Sequence, residues 1–198
     1  MIKNVIFDIG NVILKYSREF LVDCIYQGDE YELLKEKLFT NWEKLDEDLL
    51  TLQEYEQQVL NSLPNHLHSY ASAVLNNWEY FMTYTEGMRE LIADLKQHGY
   101  NLYILSNITR HFINCEYKFP ILDLFDGIVY SAPIKMVKPN PEIYEHLLNK
   151  YSLKAEECLF IDDTKTNLTA AARFGIHTFY FNDNVNELRD YIFNSLSL

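Results

Sequence analysis

The sequence predicts an α/β fold, a parallel sheet with helices on both faces, with a small all-α insertion near the start of the chain. Three observations carry this. Short apolar runs rich in β-formers alternate with segments of helical period, which implies parallel strands joined by right-handed crossovers. Several of those runs end abruptly in small or charged polar residues, as strands do when they open into a ligand crevice. One stretch of about seventy residues, directly after the first run, shows helical period only.

The first run is Val5, Ile6 and Phe7, ending at Asp8, with the turn residues Gly10 and Asn11 behind it. It reads as a buried strand with a polar loop at its C-terminal end. On this stretch alone Asp8 serves equally well as a catalytic group or as a cap for the turn. After Leu14 the apolar residues recur at helical spacing: Phe20, Leu21, Cys24 and Ile25; Leu33, Leu34 and Leu38; Leu49, Leu52, Tyr55 and Val59; Leu67, Tyr70, Ala71, Val74, Leu75 and Trp78. Pro64 and Asn65 separate the last two groups, giving three or four short helices. We therefore divide the chain into a core, residues 1–14 and 85–198, and a helical cap, residues 15–84. Its position after the first loop suits a lid better than helices that merely pack on the sheet.

Beyond the insertion, Met88, Leu91, Ile92 and Leu95 mark a helix closed by His98 and Gly99. NLYILSN is a second strand, ending in Ser106 and Asn107. Ile113–Leu124 is expected to be a helix interrupted near Pro120, and Gly127–Tyr130 a third strand. Lys135 and Lys138 follow, then a helix after Pro141. CLFIDD is the fourth strand and ends in the adjacent carboxylates Asp162 and Asp163. A helix through Leu168, Ala171 and Phe174 stops at Gly175, His177–Phe181 is a fifth strand, and a last helix runs through Val185, Leu188 and Ile192.

Of 198 residues, 48% are hydrophobic and 23% charged, enough for one good-sized domain with its own core. With 17 basic against 29 acidic residues the net charge is −12, so a nucleic-acid backbone or an anionic membrane is repelled. An anionic substrate then needs a local cluster of positive charge or a metal. Cys24, Cys115 and Cys158 show no CxxC or Cys/His ligand spacing, so they are expected to be reduced core residues rather than a disulfide framework or a zinc site. Asp8 interrupts the first apolar run, unlike a signal peptide, and no stretch approaches the roughly 20 apolar residues that cross a bilayer. A soluble cytoplasmic protein is expected, its oligomeric state open.

The predicted strand ends now bring together Asp8, Ser106 with Asn107, Lys138, and Asp162 with Asp163. This weighs against a mere capping role for Asp8. Carboxylates from two strands suit a hard ion such as Mg²⁺, which prefers oxygen ligands and keeps room for phosphate oxygens. Lysine supplies a point charge to a phosphoryl group, the serine hydroxyl and asparagine amide supply donors, and Asp8 supplies a carboxylate nucleophile.

FDIGNVIL, LYILSN, KPNPEIY and FIDDTKTNLTAA, in this order, resemble the four motifs of the haloacid dehalogenase superfamily. The resemblance covers Ile2 to about Phe181, and the insertion is similar to that superfamily's small α-helical cap. It implies a Rossmann-like core and, from the Gly-Asn-Val turn and the KP-x-P-x-I-Y run, a phosphatase acting on sugar phosphates or related metabolites with Mg²⁺ as cofactor. It further implies Asp8 as nucleophile and metal ligand, the Gly10 carbonyl as a second ligand, and Ser106 and Lys138 as phosphoryl-holding groups. Asp163 with Asp162 would complete the metal site, and Asn167 would support it. Two residues depart from the pattern. Gly10 stands where such phosphatases usually carry a second Asp, and Lys135 stands where this group often has Gly; Lys135 is read as a solvated loop charge.

None of the six histidines shows ligand or triad spacing, and none is assigned to catalysis. Tyr26, Trp42, Tyr55, Trp78 and Tyr80 are read as cap core, with one or two free to line the pocket. Two other functions stay open: dehalogenation through an aspartyl ester, which uses no metal, and a weakened phospho-ligand or protein-binding module, whose support is Gly10.

Overall fold

The structure, a computed structural model, describes residues 1–195. The expected core thus includes three residues, 196–198, that lie outside the described part. The chain enters on β1 (Asn4–Phe7) and turns tightly into β2 (Leu14–Lys15). The insertion follows as α1 (Arg18–Asp23), α2 (Tyr31–Phe39), α3 (Glu43–Asp46), α4 (Leu52–Asn61) and α5 (His68–Asn77), and it ends at β3 (Thr83–Tyr84). β2 and β3 pair antiparallel, Leu14 with Tyr84 and Lys15 with Thr83, so the insertion leaves and returns on one short ribbon. The rest alternates: α6 (Met88–Gln97), β4 (Asn101–Ser106), α7 (Arg110–Cys115), β5 (Gly127–Tyr130), α8 (Ser131–Ile134), α9 (Pro141–Lys150), β6 (Cys158–Asp162), α10 (Lys165–Ala172), β7 (His177–Tyr180) and α11 (Val185–Asp190).

Among the described residues the main sheet is five-stranded and parallel, in the order β5-β4-β1-β6-β7. The chain builds outward from β1 through β4 to β5, then returns to lay β6 and β7 on the other side. Strand order therefore reverses between β1 and β6, which opens a crevice beyond their carboxyl ends, the usual ligand site of a Rossmann-like sheet.

Period-two alternation decides what each face buries. Val5, Phe7, Leu102, Ile104, Leu159 and Ile161 join one cluster, roofed by Leu91, Ile92 and Leu95 of α6 and Leu188 of α11. Ile6, Tyr103, Leu105, Cys158 and Phe160 join the other, under Ile143, Tyr144 and Leu147 of α9 and Leu168 and Ala171 of α10. Burying each such side chain contributes roughly 1.5–3 kcal/mol, so a one-residue slip of β1 would forfeit several kcal/mol and move Asp8 off the crevice. α6 ends at Gly99, whose φ of 81° lets the chain reverse into β4.

The insertion shares the first of these cores. Leu34, Leu38, Trp42, Tyr55, Val74 and Trp78 lie in the cluster that holds Phe7 and Ile104. The Trp78 ring stacks on Phe112 of α7 at 6.1 Å, and Phe112 stacks on Phe119 at 5.7 Å. The Tyr55 hydroxyl donates to the carbonyls of Leu38 and Thr40, at 2.8 and 3.0 Å.

Several sequence expectations need correction. Phe20 and Cys24 are exposed, because the six-residue α1 buries Leu21 and Val22 instead, and a helix that short leaves its buried face ambiguous in sequence. Leu49 is exposed in the loop before α4, and Tyr80 is exposed rather than cap core. The expected Ile113–Leu124 helix is α7 followed by 3₁₀ turns at Glu116–Lys118 and Pro120–Leu124. α7 begins earlier than expected because Thr109 caps it, accepting from the Phe112 N–H at 3.3 Å.

Candidate active site

Asp8 continues the ladder of β1 for one bond, its N–H donating to the Ile161 carbonyl at 2.9 Å, and its side chain then emerges into the crevice. The loop behind it folds back on one acceptor. The Ile9 carbonyl takes the N–H groups of Val12, Ile13 and Leu14, at 3.3, 3.0 and 2.9 Å. Asn11 closes the turn in the left-handed region (φ 55°), a conformation asparagine tolerates better than most residues.

Three donors converge on one oxygen of Asp8. Oδ1 accepts from the Ile9 N–H at 2.8 Å and from the Ser106 hydroxyl at 2.5 Å, and Lys138 Nζ lies 2.9 Å away. Oδ2 has no partner among the described residues. The carboxylate is thus fixed by one oxygen while the other keeps its lone pairs for an electrophile.

Lys138 is buried, and its Nζ also lies 2.7 Å from Asp162 Oδ2. Burial works against the ammonium, but the carboxylates of Asp8 and Asp162 outweigh it and hold the lysine pKa above its ordinary value. Asp162 is fully buried and fully engaged. Its Oδ1 accepts from the Thr164 N–H at 2.7 Å, and Asn167 Nδ2 spans both oxygens at 3.2 and 3.1 Å. Burial pushes the Asp162 carboxyl up to about 6, with Lys138 opposing. Asn167 is held from behind by the Tyr144 hydroxyl, which donates to its carbonyl at 2.9 Å.

The two adjacent aspartates are therefore unlike. Asp163, unlike Asp162, borders a cavity of about 290 Å³ together with Asp8, Gly10, Ser106 and Lys138. Its carboxyl takes Asn11 Nδ2 at 3.3 Å and the Thr164 hydroxyl at 3.2 Å, and burial followed by the nearby Asp8 charge raises its pKa. One oxygen from each of Asp8, Asp162 and Asp163 lies within 4.8 Å of the others. Hard oxygen donors at that spacing, with the Asp163 carboxylate beside open space, fit Mg²⁺.

Asn107 differs from expectation. Both ends of its amide clamp the Lys138 peptide, Oδ1 accepting the N–H at 2.8 Å and Nδ2 donating to the carbonyl at 2.9 Å, instead of being held ready for phosphate. Lys135 is exposed and ends α8 in a left-handed conformation (φ 55°, ψ 36°), the geometry that favours glycine there. Gly10 is not left-handed, and a Cβ built on it meets nothing within 4 Å.

The insertion contributes Tyr16, Arg18, Trp42, Asp46, Trp78 and Met82 to the lining of the cavity. Trp42 and Trp78 are among the aromatics that the sequence offers for this lining, whereas Tyr16, Arg18, Asp46 and Met82 carry no such signal. Burial pushes the Asp46 carboxyl up to about 7, Arg18 opposing and Asp8 reinforcing. Elsewhere, His111 and Cys115, four residues apart, converge with the buried Glu79, so a histidine and a cysteine do share ligand spacing. The Glu79 oxygens are already taken by His111 at 2.9 Å and Lys118 at 3.1 Å, which makes this a buried ion-pair cluster.

A family model described as haloacid dehalogenase-like hydrolase matches residues 5–181. A D-ribitol-5-phosphate phosphatase of Bacteroides thetaiotaomicron is 26% identical over 192 residues, covering 90% of this chain and 91% of that one. A sesquiterpene phosphatase of Aspergillus oryzae is 34% identical over 102 residues; the match spans only half of that relative's length and half of this chain. Among solved structures, a HAD family enzyme of B. thetaiotaomicron in complex with magnesium and inorganic phosphate superposes with a TM-score of 0.74 at 22% identity, over 93% of this chain and 96% of that one. An L-2-haloacid dehalogenase of Xanthobacter autotrophicus with covalently bound chloropropionic acid gives 0.64 at 17%, over 98% and 84%. At these identities the solved structures show a shared fold. No helix among the described residues is long and apolar enough to cross a membrane.

Proposed function

The chain belongs to the haloacid dehalogenase-like hydrolase family, and from that premise we propose that it is a Mg²⁺-dependent phosphatase acting on a small phosphorylated metabolite, a sugar phosphate or similar. The observation that carries this reading is Asp8, pinned through Oδ1 by Ser106 and Lys138 while Oδ2 stays free beside the cavity. Oδ2 attacks phosphorus and forms an aspartyl-phosphate, which water then hydrolyses. Lys138 offsets the repulsion between carboxylate and phosphoryl group, and Ser106 donates to the phosphoryl oxygens as the group arrives. Asn107 and Asp162 are positioning residues, the first holding the Lys138 backbone and the second its ammonium.

Asp8, Asp163 and the Gly10 carbonyl would hold Mg²⁺, which when bound supplies positive charge against the phosphoryl oxygens. Asp162, committed to Lys138 and Asn167, supports the site from behind. Residues 15–84 act as the cap, carried on the β2–β3 ribbon, and set specificity through the wall they present to the leaving group. The ribitol-phosphate phosphatase among the relatives and the magnesium and phosphate held by a structural neighbour support this substrate class. Dehalogenation has structural neighbours too. It makes no use of a metal, and the carboxylate of Asp163 beside a free Asp8 oxygen favours the phosphatase.

The test is phosphate release from a panel of sugar and polyol phosphates with Mg²⁺ and with chelator, alongside halide release from 2-haloacids. Mg²⁺-dependent phosphate release is expected. Halide release that persists in chelator would overturn the reading.

A further inference from the structure

We propose that Asp46, delivered by the insertion, is the general acid and base of this active site. The inference rests on the phosphatase reading above. Gly10 has no side chain, and the space in front of it is open, so no group on the nucleophile loop can give a proton to a departing oxygen. Asp46 borders the same cavity as Asp8, Ser106, Lys138 and Asp163, so a leaving group held in that cavity while the phosphoryl group is against Asp8 shares it with the Asp46 side chain.

Its backbone is held in register with the catalytic loops. The Ser131 hydroxyl donates to the Asp46 carbonyl at 2.6 Å and accepts from the N–H of Ile108, two residues beyond Ser106, at 2.9 Å. Two residues on, Asp48 is gripped by Arg110 through paired contacts of 2.6 and 2.8 Å. The Asp46 carboxyl itself makes no hydrogen bond or ion pair to the protein among the described residues. A partly buried carboxyl tied down by its backbone and left free at its tip is placed to serve a substrate.

The protonation state agrees with the geometry. Burial is the largest influence on Asp46 and keeps a sizeable fraction protonated near neutrality. The groups that act on it are Arg18 of α1, Glu43 of α3, Asp8 and Lys138; the two acids raise it and the two bases lower it.

Asp8 Oδ2 forms a bond to phosphorus as the bond from phosphorus to the ester oxygen breaks, and that oxygen takes the electron pair and the Asp46 proton to leave as an alcohol. Water then attacks the aspartyl-phosphate, giving its proton to the Asp46 carboxylate. The bond from phosphorus to Asp8 breaks, its electron pair returns to Asp8, and inorganic phosphate departs with Asp46 protonated again.

The experiment compares an alkyl phosphate, glycerol phosphate, with p-nitrophenyl phosphate, whose phenolate needs no proton to leave. Asp46→Asn keeps the side-chain volume, and an unchanged melting temperature and Mg²⁺ response will show that fold and metal site persist. A positioned acid contributes roughly 10²- to 10⁴-fold, so kcat on glycerol phosphate is expected to fall by that order. The p-nitrophenol burst should fall less than tenfold, and the pH dependence of the alkyl reaction near neutrality should flatten. Adding Gly10→Asp to Asp46→Asn should restore much of the loss, since the new side chain enters open space. A p-nitrophenol burst that falls as far as the glycerol phosphate rate, or an unchanged alkyl rate, would overturn the assignment while leaving the phosphatase reading in place. A wild-type chain with no Mg²⁺-dependent turnover of any phosphate ester would overturn both.

Discussion

The hydroxyl of Ser131, one residue past β5, donates to the main-chain carbonyl of Asp46 at 2.6 Å, across the boundary between sheet and insertion. The same oxygen accepts from the buried N–H of Ile108, so one side chain joins the loop after β4 to the insertion. Ser131→Ala leaves both groups without a partner. Each orphaned buried group costs roughly 1–3 kcal/mol, and urea denaturation should show a loss of that order. With Asp46 released, turnover of an alkyl phosphate should fall more than that of p-nitrophenyl phosphate. A variant as stable as the wild type would mean that water replaces the hydroxyl at both positions.

Asp8→Asn preserves volume but removes the nucleophilic charge, so phosphate release should drop to background. Folding should persist, because Ser106 can still donate to the remaining amide oxygen. Turnover above a small fraction of wild type, in protein freed of contaminating phosphatase, would mean that Asp8 is not the nucleophile.

The unlike surroundings of the adjacent aspartates predict unlike variants. A ligand that binds only the native state raises the melting temperature by mass action, and Mg²⁺ should do so here. Asp163→Asn should abolish most of that shift. Asp162→Asn should keep a larger part of it and lose activity instead, because it takes from the buried ammonium of Lys138 one of its two carboxylate partners and leaves it on Asp8 alone. A shift undiminished in Asp163→Asn and lost in Asp162→Asn would reverse the two roles.

Asp46 makes stability depend on pH with a definite sign. Its folded pKa of about 7 lies above the roughly 3.9 of an unfolded aspartate, so the native state holds the proton longer. Below the unfolded value the carboxyl is neutral in both states and carries no penalty. As pH rises through the interval to about 7, the unfolded state ionises first and native stability is lost. Asp46→Asn escapes this loss. Without Mg²⁺, it should gain roughly 1–3 kcal/mol relative to wild type between pH 4 and pH 8 in urea denaturation. A difference constant across that range would mean that Asp46 titrates like a solvent-exposed acid.

The sequence by itself determined the strands, their order along the chain and the polar residue at each strand end. β-formers in short runs and helical period between them are local signals; Asp8, Ser106, Asp162 and Asp163 stand at the ends of such runs, and Lys138 lies in the loop region beyond Gly127–Tyr130. It also marked out residues 15–84 as an expected insertion, since seventy residues of helical period are far more than the one helix that a crossover from β1 to β4 needs. What each polar side chain holds was decided only by the tertiary structure. Asn107 and Lys138 are 31 residues apart, and nothing local says that the amide, at the edge of the cavity, will clamp the Lys138 backbone. Asp162 and Asp163 are neighbours of the same chemistry, and alternation about the end of β6 turns one into a buried partner for Lys138 and the other toward the cavity. Asp46 was invisible for the same reason. In sequence it is one acid among many on a charged helical stretch, and only the fold brings it to the cavity, its carbonyl accepting from Ser131, 85 residues away. Periodicity is a property of neighbours along the chain, whereas a site is a property of neighbours in space. Strand pairing and packing of the insertion bring those spatial neighbours together.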